Sequence, residues 1–246
     1  MNKLSRSLLL GITFSMLAFA SFAASVTEKR MLPSFNAFTN ESRLDINYIQ
    51  SNEYKVVVNM EERFVQNLKT EVQSGMLRIY MEDDVLFGKG EKYVILVYAP
   101  VLVEVHNVGM GNVQLGDLTG TFLLVDNTGG GELDFACGRN NTLDAYTTVQ
   151  IHNRGNGIVT AECNVNEMSI ENEGSGNVEV RGYTQELKVS NIGVGTVDAQ
   201  ELTAQRANLS IVGMGRVVAT VTGIANLTRR GLGTIEVFGE ALIIQK

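Results

Sequence analysis

The sequence predicts an all-β fold: a parallel β-helix, or β-solenoid, of seven Gly-x-Gly repeats of about 20 residues, capped by an N-terminal β region. Three observations lead to this prediction. A Gly-x-Gly element recurs at a nearly constant interval, apolar and polar residues alternate on both sides of it, and glycine makes the turns, with 25 Gly against 2 Pro. Period-two alternation is typical of half-buried strands, and a fixed repeat is typical of stacked coils. Alternation does not fix strand direction, so a β-prism or an antiparallel sandwich is the alternative.

The chain begins like a secretory leader. Lys3 and Arg6 precede an apolar run from Leu8 to Ala20, and small residues follow that run. This arrangement is typical of a cleaved signal peptide, and the run is too short for a membrane-spanning helix. We therefore expect residues 1–23 to direct export to the periplasm or cell surface of a bacterium. We expect no membrane span in the mature chain.

The mature chain is acidic. The formal net charge of the full sequence is −7, and the leader holds two basic and no acidic residues, so the mature charge is −9. An acidic surface repels phosphate groups, which argues against nucleic acid or an anionic membrane as a partner. The hydrophobic content of 44% is that of a globular protein and not of a disordered one.

Residues 24–103 are expected to form the N-terminal β region of the solenoid domain. Strands are predicted at residues 44–49, 55–60, 68–72, 76–80 and 93–99. This region lacks the repeat and carries more charge than the rest of the chain. A stack of coils needs such an end, because an open stack exposes unpaired strand edges.

The repetitive solenoid is expected over residues 104–246. The first glycines of successive elements are 18 to 20 residues apart, except for one interval of 26 that includes an insertion near residues 138–144. Glycine adopts φ > 0 and lets stacked coils approach closely, at about 4.8 Å per coil. The paired turn glycines are Gly109 and Gly111, Gly129 and Gly131, Gly155 and Gly157, Gly174 and Gly176, Gly193 and Gly195, Gly213 and Gly215, and Gly231 and Gly233.

Asparagine lies two positions before the first glycine in five repeats. An asparagine at a fixed place can form a side-chain ladder along the stack, or it can bond the backbone of its own turn. The five are Asn107, Asn127, Asn153, Asn172 and Asn191, and Ile211 and Arg229 replace them in the last two repeats.

The order of these elements resembles the head GIN domain family, bacterial exported proteins described as autotransporter adhesins. The resemblance rests on strand segments at residues 42–46, 54–58 and 75–79, on a strand that ends at Pro100, and on repeats of the form Val-x-Asn-x-Gly-x-Gly. It covers residues 34 to 240 or so. It implies a β-helix-like fold in a bacterial cell envelope, and it implies neither a catalytic activity nor a defined active site.

No residue pattern predicts a catalytic, cofactor or metal site. Calcium-binding repeats need a carboxylate after the glycines of every copy, and here that position varies, from Asn112 and Glu132 to Ile158. His106 and His152 occupy equivalent outward places two coils apart. Scattered surface histidines are the simpler interpretation, and a shared metal would need further ligands.

Two cysteines lie at the same place in successive repeats. Cys137 and Cys163 each follow the first glycine of their repeat by eight residues. Stacking brings such Cα atoms to about 4.8 Å, which a disulfide can span, and exported proteins meet oxidising conditions. The pair is a candidate disulfide, with two buried free thiols as the alternative. The equivalent places elsewhere hold Val221, Gly182 and Gly239 but also Asp117 and Glu201, which leaves the inward direction of this column open.

These observations favour a non-enzymatic exported protein of the cell envelope or surface, an adhesin-like module that binds a glycan or a protein along the solenoid. A polysaccharide-active β-helix enzyme is one alternative, with Glu171 and Glu173 as its acid pair. A structural element that self-assembles end to end through its last coil, as a homo-oligomer, is the other.

Overall fold

The computed structural model describes residues 25–82, 93–138 and 147–245. The predicted signal peptide and nearly all of the insertion after Gly138 lie outside these residues. The described chain contains one helical turn, α1 (Glu62–Val65), and is otherwise built of strands. The strands are β1 (Ser25–Met31), β2 (Ala37–Asn40), β3 (Asp45–Gln50), β4 (Lys55–Glu61), β5 (Leu68–Gln73), β6 (Met76–Met81), β7 (Val94–Ala99), β8 (Glu104–Asn107), β9 (Val113–Leu118), β10 (Phe122–Asn127), β11 (Glu132–Cys137), β12 (Thr148–Gly155), β13 (Ile158–Gly174), β14 (Asn177–Gly193), β15 (Thr196–Gly213), β16 (Arg216–Gly231), β17 (Thr234–Phe238) and β18 (Leu242–Gln245).

The repeats stack as parallel strands. Each coil has one arm that leads into its Gly-x-Gly turn and one arm that leaves it. We call the leading arms face A (β2, β8, β10, β12, the second halves of β13 to β16, and β18) and the leaving arms face B (β3, β9, β11, the first halves of β13 to β16, and β17). Every pairing among β8 to β18 is parallel. The predicted parallel solenoid is therefore confirmed, and the antiparallel alternative is wrong for this part of the chain.

The N-terminal region closes one end of the stack. β2 and β3 form a coil of their own, which pairs in parallel with β8 and β9 of the first repeat. Beyond it, β1, β4 and β7 pair antiparallel, as do β5 and β6. The five strands predicted in this region are confirmed as β3 to β7. Sequence analysis missed β1 and β2, because β1 alternates with charged residues and the turn after β2 lacks glycine.

The core lies between the two faces and runs the length of the stack. Alternate side chains from each arm point inward, as Val178 and Val180 do on face B and Leu187 and Val189 on face A. Most are Val, Ala, Leu or Ile, so the two faces pack on each other as apolar layers. Burial of this kind contributes about 25 cal/mol per Å² of apolar surface removed from water, and it is the main term that favours the stacked state.

The turn glycines are required by the close approach of the coils. Gly193 has φ of +121°, and a Cβ placed there would lie 2.4 Å from the carbonyl oxygen of Gly174 in the coil below. The amide groups that follow donate to the same coil, since the N–H of Val194 bonds the Gly174 oxygen at 2.9 Å. The backbone of each turn therefore rests directly on the backbone of the previous one.

The asparagines form one continuous ladder inside the stack. From Asn40 to Asn172, each side-chain Nδ2 donates to the Oδ1 of the next asparagine in the ladder at 2.9 to 3.1 Å. Each Nδ2 also donates to a carbonyl oxygen of its own turn at 2.8 to 3.2 Å. Both predicted roles are thus filled by the same side chains. The ladder begins one coil earlier than predicted, at Asn40, where Ser42 and Leu44 stand in place of the turn glycines.

Two β-bulges explain the residues that did not fit the cysteine column. Gly116, with φ of +69°, adds one residue to β9, so that Leu118 and not Asp117 lies opposite Cys137. A second register shift lets Leu202 take the place that equal spacing assigns to Glu201. The column points into the core, and both displaced acids point outward. A bulge adds one unpaired residue and reverses the side-chain direction beyond it, which simple counting from the glycine misses.

Under oxidising conditions, Cys137 and Cys163 are expected to form a disulfide. The two residues lie opposite each other in β11 and β13, both fully buried, with their sulfurs 2.7 Å apart. The bond would close a loop of 26 residues, and removing it by Cys163→Ser should lower the free energy of unfolding by about 3 kcal/mol. Mass spectrometry of the denatured protein, with and without reductant, is the measurement. Two alkylated thiols before reduction would contradict the prediction.

Candidate functional site

The outer side of face A carries a continuous set of polar side chains, which we call the polar face. They form two rows in register along the stack. One row stands three places before the first glycine of each turn, and the other stands two places earlier in the coils of β13 to β16. The first row contains His106, Asp126, His152, Glu171, Ser190, Ser210 and Thr228, and the second contains Ser169, Lys188, Asn208 and Asn226.

The part of the polar face nearest the N-terminal cap is an ionisable cluster centred on Asp126. The strand register places this residue between His106 and His152. Its Oδ2 lies 3.2 Å from the guanidinium of Arg154 and 3.7 Å from Nδ1 of His106. Its Oδ1 is buried and has no hydrogen-bond partner among the described residues. The Nε2 of His106 is also 2.7 Å from the carboxylate of Glu104.

The histidine on the other side of Asp126 is held differently. The guanidinium of Arg154 donates to Nδ1 of His152 at 3.2 Å. A neutral imidazole has one donor and one acceptor nitrogen, so this contact puts the proton on Nε2. That nitrogen faces the carboxylate of Glu171 at 3.6 Å. The cluster is therefore a chain of polar contacts between acidic and basic side chains that runs across four coils.

The cluster shifts the titration of its central groups. The carboxylate of Asp126 raises the pKa of His106 above its ordinary value; burial opposes this shift, and the carboxylate of Glu104 adds to it. For Asp126, burial acts to raise the pKa. The contact with His106 and the charges of Arg154, His106 and His152 outweigh burial, so the pKa lies below its ordinary value.

These shifts have opposite consequences for stability. The contribution of His106 is fully present below its unfolded pKa of about 6.5 and is lost as the pH rises through the higher folded pKa. The contribution of Asp126 is present above its unfolded pKa of about 3.9 and is lost as the pH falls through the lower folded pKa. The cluster therefore stabilises the fold most between these two limits.

Asp126→Asn is expected to lower the pKa of His106 towards that of an exposed histidine, because the largest cause of its elevation is removed. NMR titration of the imidazole Cε1–H resonance measures this. Glu236→Gln, which neutralises an acid paired with Arg216 on face B, is the control and should leave His106 unchanged. An unmoved His106 in the Asp126 variant would show that the cluster is not electrostatically coupled.

The rest of the polar face is a shallow groove of about 370 Å³. Uncharged hydroxyl and amide side chains line most of it, with Glu171 and Lys188 at the end nearest the ionisable cluster. The amide of Asn226 donates to that of Asn208 at 3.0 Å across neighbouring coils, which aligns the row. Hydroxyl and amide groups both donate and accept hydrogen bonds, so this floor can bind a ligand with many hydroxyl groups.

Face B has a different outer side. Its charged residues neutralise one another in ion pairs between and within coils. Arg181 contacts Glu179 at 2.5 Å and Glu201 at 3.4 Å, and Arg216 contacts Glu236 at 2.9 Å. The hydrogen bond from Arg216 lowers the pKa of Glu236. These ion pairs occupy part of the hydrogen-bonding capacity of face B.

The edge formed by the turns carries a third surface feature, an apolar ridge. In the last three turns, the residue between the two glycines is apolar and exposed, by 84% for Leu232 and 66% for Met214. In the first two of these turns, the residue before the first glycine is apolar and exposed as well. We call this set the turn ridge. It comprises Ile192, Val194, Val212, Met214 and Leu232.

The structure locates the candidate residues of the sequence on these surfaces. His106 and His152 lie outward, two coils apart, with Asp126 between them. Glu171 lies on the polar face, and Glu173 lies beside the turn opposite Arg154. Among the residues that the structure describes, no group of three or more His, Cys, Asp or Glu side chains is arranged to hold a metal. The same part of the chain contains no helix long and apolar enough to cross a membrane.

Sequence analysis missed Asp126 and the groove. The signal was present: the position three before the first glycine is polar in all seven repeats, from His106 to Thr228. The residue types differ from coil to coil, so only the two histidines stand out as an equivalent pair.

Residues 34–241 match the protein family described as "Putative auto-transporter adhesin, head GIN domain". A crystal structure of a putative adhesin from Parabacteroides merdae is similar with a TM-score of 0.69 at 19% identity, covering 90% of this chain and 96% of the other. A putative lipid binding protein from Parabacteroides distasonis is similar with a TM-score of 0.64 at 18% identity, covering 90% and 96%. A putative adhesin from Bacteroides fragilis has a TM-score of 0.61 at 18% identity, covering 91% and 97%. These likenesses concern the fold. We find no match among the curated proteins.

Proposed function

Because the chain belongs to the head GIN domain family, we propose that it is a non-enzymatic, adhesin-like binding module displayed on the bacterial cell surface, and that its ligand is a glycan. The polar face is the proposed binding surface. The observation that carries the proposal is the groove across β13 to β16, where hydroxyl and amide side chains repeat in register from coil to coil.

The chemistry of the groove fits a glycan better than a protein partner. Protein interfaces are built around aromatic and apolar anchors, whereas the outward side chains of the groove are Ser, Thr, Asn, Lys and Glu. Its apolar lining residues, Ile170, Val189 and Leu209, are buried in the core. A linear glycan offers hydroxyl groups at regular intervals, and the coils offer matching groups about every 4.8 Å. Ser190 and Ser210 lie in the middle of the groove, where a bound chain would make its central contacts.

The predicted export supports the same proposal. The predicted signal peptide at residues 1–23 would bring the protein to the envelope, and two of the similar structures are described as adhesins. The proposal assigns no catalytic residue. Glu171 faces His152 at 3.6 Å and belongs to the ionisable cluster, and Glu173 lies beside the turn in register with Arg154.

Binding to a glycan array, followed by titration of the best ligand, tests the proposal. Ser190→Trp fills the groove and is expected to weaken binding at least about thirtyfold, the loss typical of a central contact. Thr160→Trp is the matched control: Thr160 is equally half-buried and points outward on face B, and this variant should bind like the wild type.

Two outcomes would contradict the proposal. If Ser190→Trp bound the glycan as tightly as the wild type does, the polar face would not be the binding surface. Cleavage of an acidic polysaccharide by the wild type, lost in Glu171→Gln, would show that the protein is an enzyme.

A further inference from the structure

The two ends of the stack differ in chemistry. At the N-terminal end, the outer strands β1 and β5 each pair on one side only among the described residues, and they carry charged residues. Arg30 of β1 donates to the carbonyl oxygens of Leu68 and Val65 at 2.7 and 3.0 Å, which ties the two edges together. Charges on an edge strand discourage another strand from pairing with it.

The C-terminal end is open and exposes several apolar side chains. β17 and β18 pair only with β16, so one edge of each is unpaired among the described residues. Leu242 and Ile243 are 63% and 49% exposed. An apolar edge strand without charged residues is normally covered by another part of the protein. A cavity of about 250 Å³ opens between the two faces, lined by Leu227, Arg229, Ile235 and Gln245. The core therefore continues to the last coil and meets the surface there.

We propose that this open end is the interface between two copies of the chain, related by a two-fold axis. The N-terminal end of another copy is a poor partner, since its edges are charged and tied. The same open end of a second copy is a good partner, because a two-fold contact places apolar surface on apolar surface. The rotation also makes β17 and β18 antiparallel to the strands that they meet, so the free backbone groups can pair.

The charges around the open end select one orientation of the axis. Arg229 and Arg230 lie at the turn side of the last coil, and Glu240 lies at the opposite corner, between β17 and β18. None of the three forms an ion pair with another described residue. An axis parallel to the strands would set turn against turn and bring four arginines together. An axis perpendicular to the faces sets each turn against the partner's corner, so that the arginines of one copy meet the acid of the other.

This orientation has a consequence for binding. A rotation about an axis perpendicular to the faces keeps face A of both copies on the same side of the dimer. The two polar faces then form one bivalent surface, and two weak sites on one surface bind a multivalent glycan more tightly than either alone. This consequence rests on the proposed function, whereas the dimer itself does not.

Light scattering during size-exclusion chromatography of the exported, purified protein tests the interface. The wild type is expected to be a dimer. Ile243→Lys places a charge in the apolar end and should raise the dissociation constant at least about thirtyfold, while circular dichroism shows an intact fold. Ile158→Lys is the matched control, since Ile158 is 43% exposed within the stack and is paired on both sides. A second control, Met214→Glu, disrupts the turn ridge and should leave the dimer intact.

Charge exchange tests the axis. Arg230→Glu and Glu240→Arg are each expected to weaken the dimer roughly tenfold, and the double variant should restore it, because each pair occurs twice in the dimer. A tighter dimer in Arg230→Glu would show that turn meets turn and would overturn the assigned axis. A monomeric wild type at all soluble concentrations, or loss of the dimer in Met214→Glu but not in Ile243→Lys, would overturn the interface. Glycan binding is scored separately on the Ser190 variant, so failure of either proposal is recognised without the other.

Discussion

Asn172→Ala is expected to lower the free energy of unfolding by about 3–4 kcal/mol, because several buried hydrogen bonds lose a partner at once. The side chain of Asn172 accepts from Asn153 at 2.9 Å and donates to Asn191 at 3.0 Å and to the Gly176 carbonyl at 3.0 Å. Alanine leaves these groups unsatisfied in the core, with a small cavity between them. Urea denaturation at one fixed protein concentration measures the change.

The control for this prediction is Asn208→Ala. Asn208 is an exposed asparagine that also bonds an asparagine in the next coil, Asn226, at 3.0 Å. Water replaces the lost bond at the surface, so the expected change is below about 0.5 kcal/mol. Equal losses in the two variants would mean that the ladder contributes no more than a surface contact.

Gly193→Ala is expected to destabilise the protein by at least about 3 kcal/mol, or to prevent it from folding. The residue has φ of +121°, which side chains rarely adopt, and the new Cβ would lie 2.4 Å from the Gly174 oxygen. That oxygen already accepts bonds from the amides of Val194 and Gly195, so the coil cannot shift without breaking them. Thermal unfolding followed by circular dichroism measures the effect.

A glycine from another turn provides the comparison. Gly130 stands between the two glycines of its turn, and a Cβ there would meet nothing closer than 3.8 Å. The free energy of unfolding of Gly130→Ala should therefore lie within about 0.5 kcal/mol of that of the wild type. If Gly193→Ala were as stable, the turns would have room that the structure does not give them, and the packing argument for the repeat would be wrong.

These two effects explain why the sequence predicted the solenoid so well. Stacked turns impose their demands at every coil, so the glycines and asparagines recur with the period of the stack. Alternation around them then reveals which side chains point inward. The strand direction, which alternation leaves open, follows once each turn rests on the turn before it.

Other features could not be read from the spacing, for physical reasons. The bulges at Gly116 and near Glu201 insert single residues, and a single residue reverses which side chains are buried. Asn40 joins the ladder in a turn built on Ser42, since the end coil supports only one neighbour of the repeat type. β1 pairs with a strand more than twenty residues away, and such partners leave no periodic trace.

The candidate site was predicted least well. A binding face needs particular side chains at outward positions, and outward positions vary more freely than buried ones. The ionisable cluster depends on Asp126, whose neighbours along the chain give no hint that two histidines flank it in space. Only the register of the strands brings the residues of the polar face together.

Protease treatment of intact cells that produce the protein tests the proposed function most directly, because a binding module for external glycans must be accessible from outside. Immunodetection of the mature chain, beside a periplasmic control protein, gives the result. We expect the chain to be degraded while the control survives. A chain that resists the protease and is released with the periplasmic control by osmotic shock would contradict the proposal that this solenoid is displayed on the cell surface.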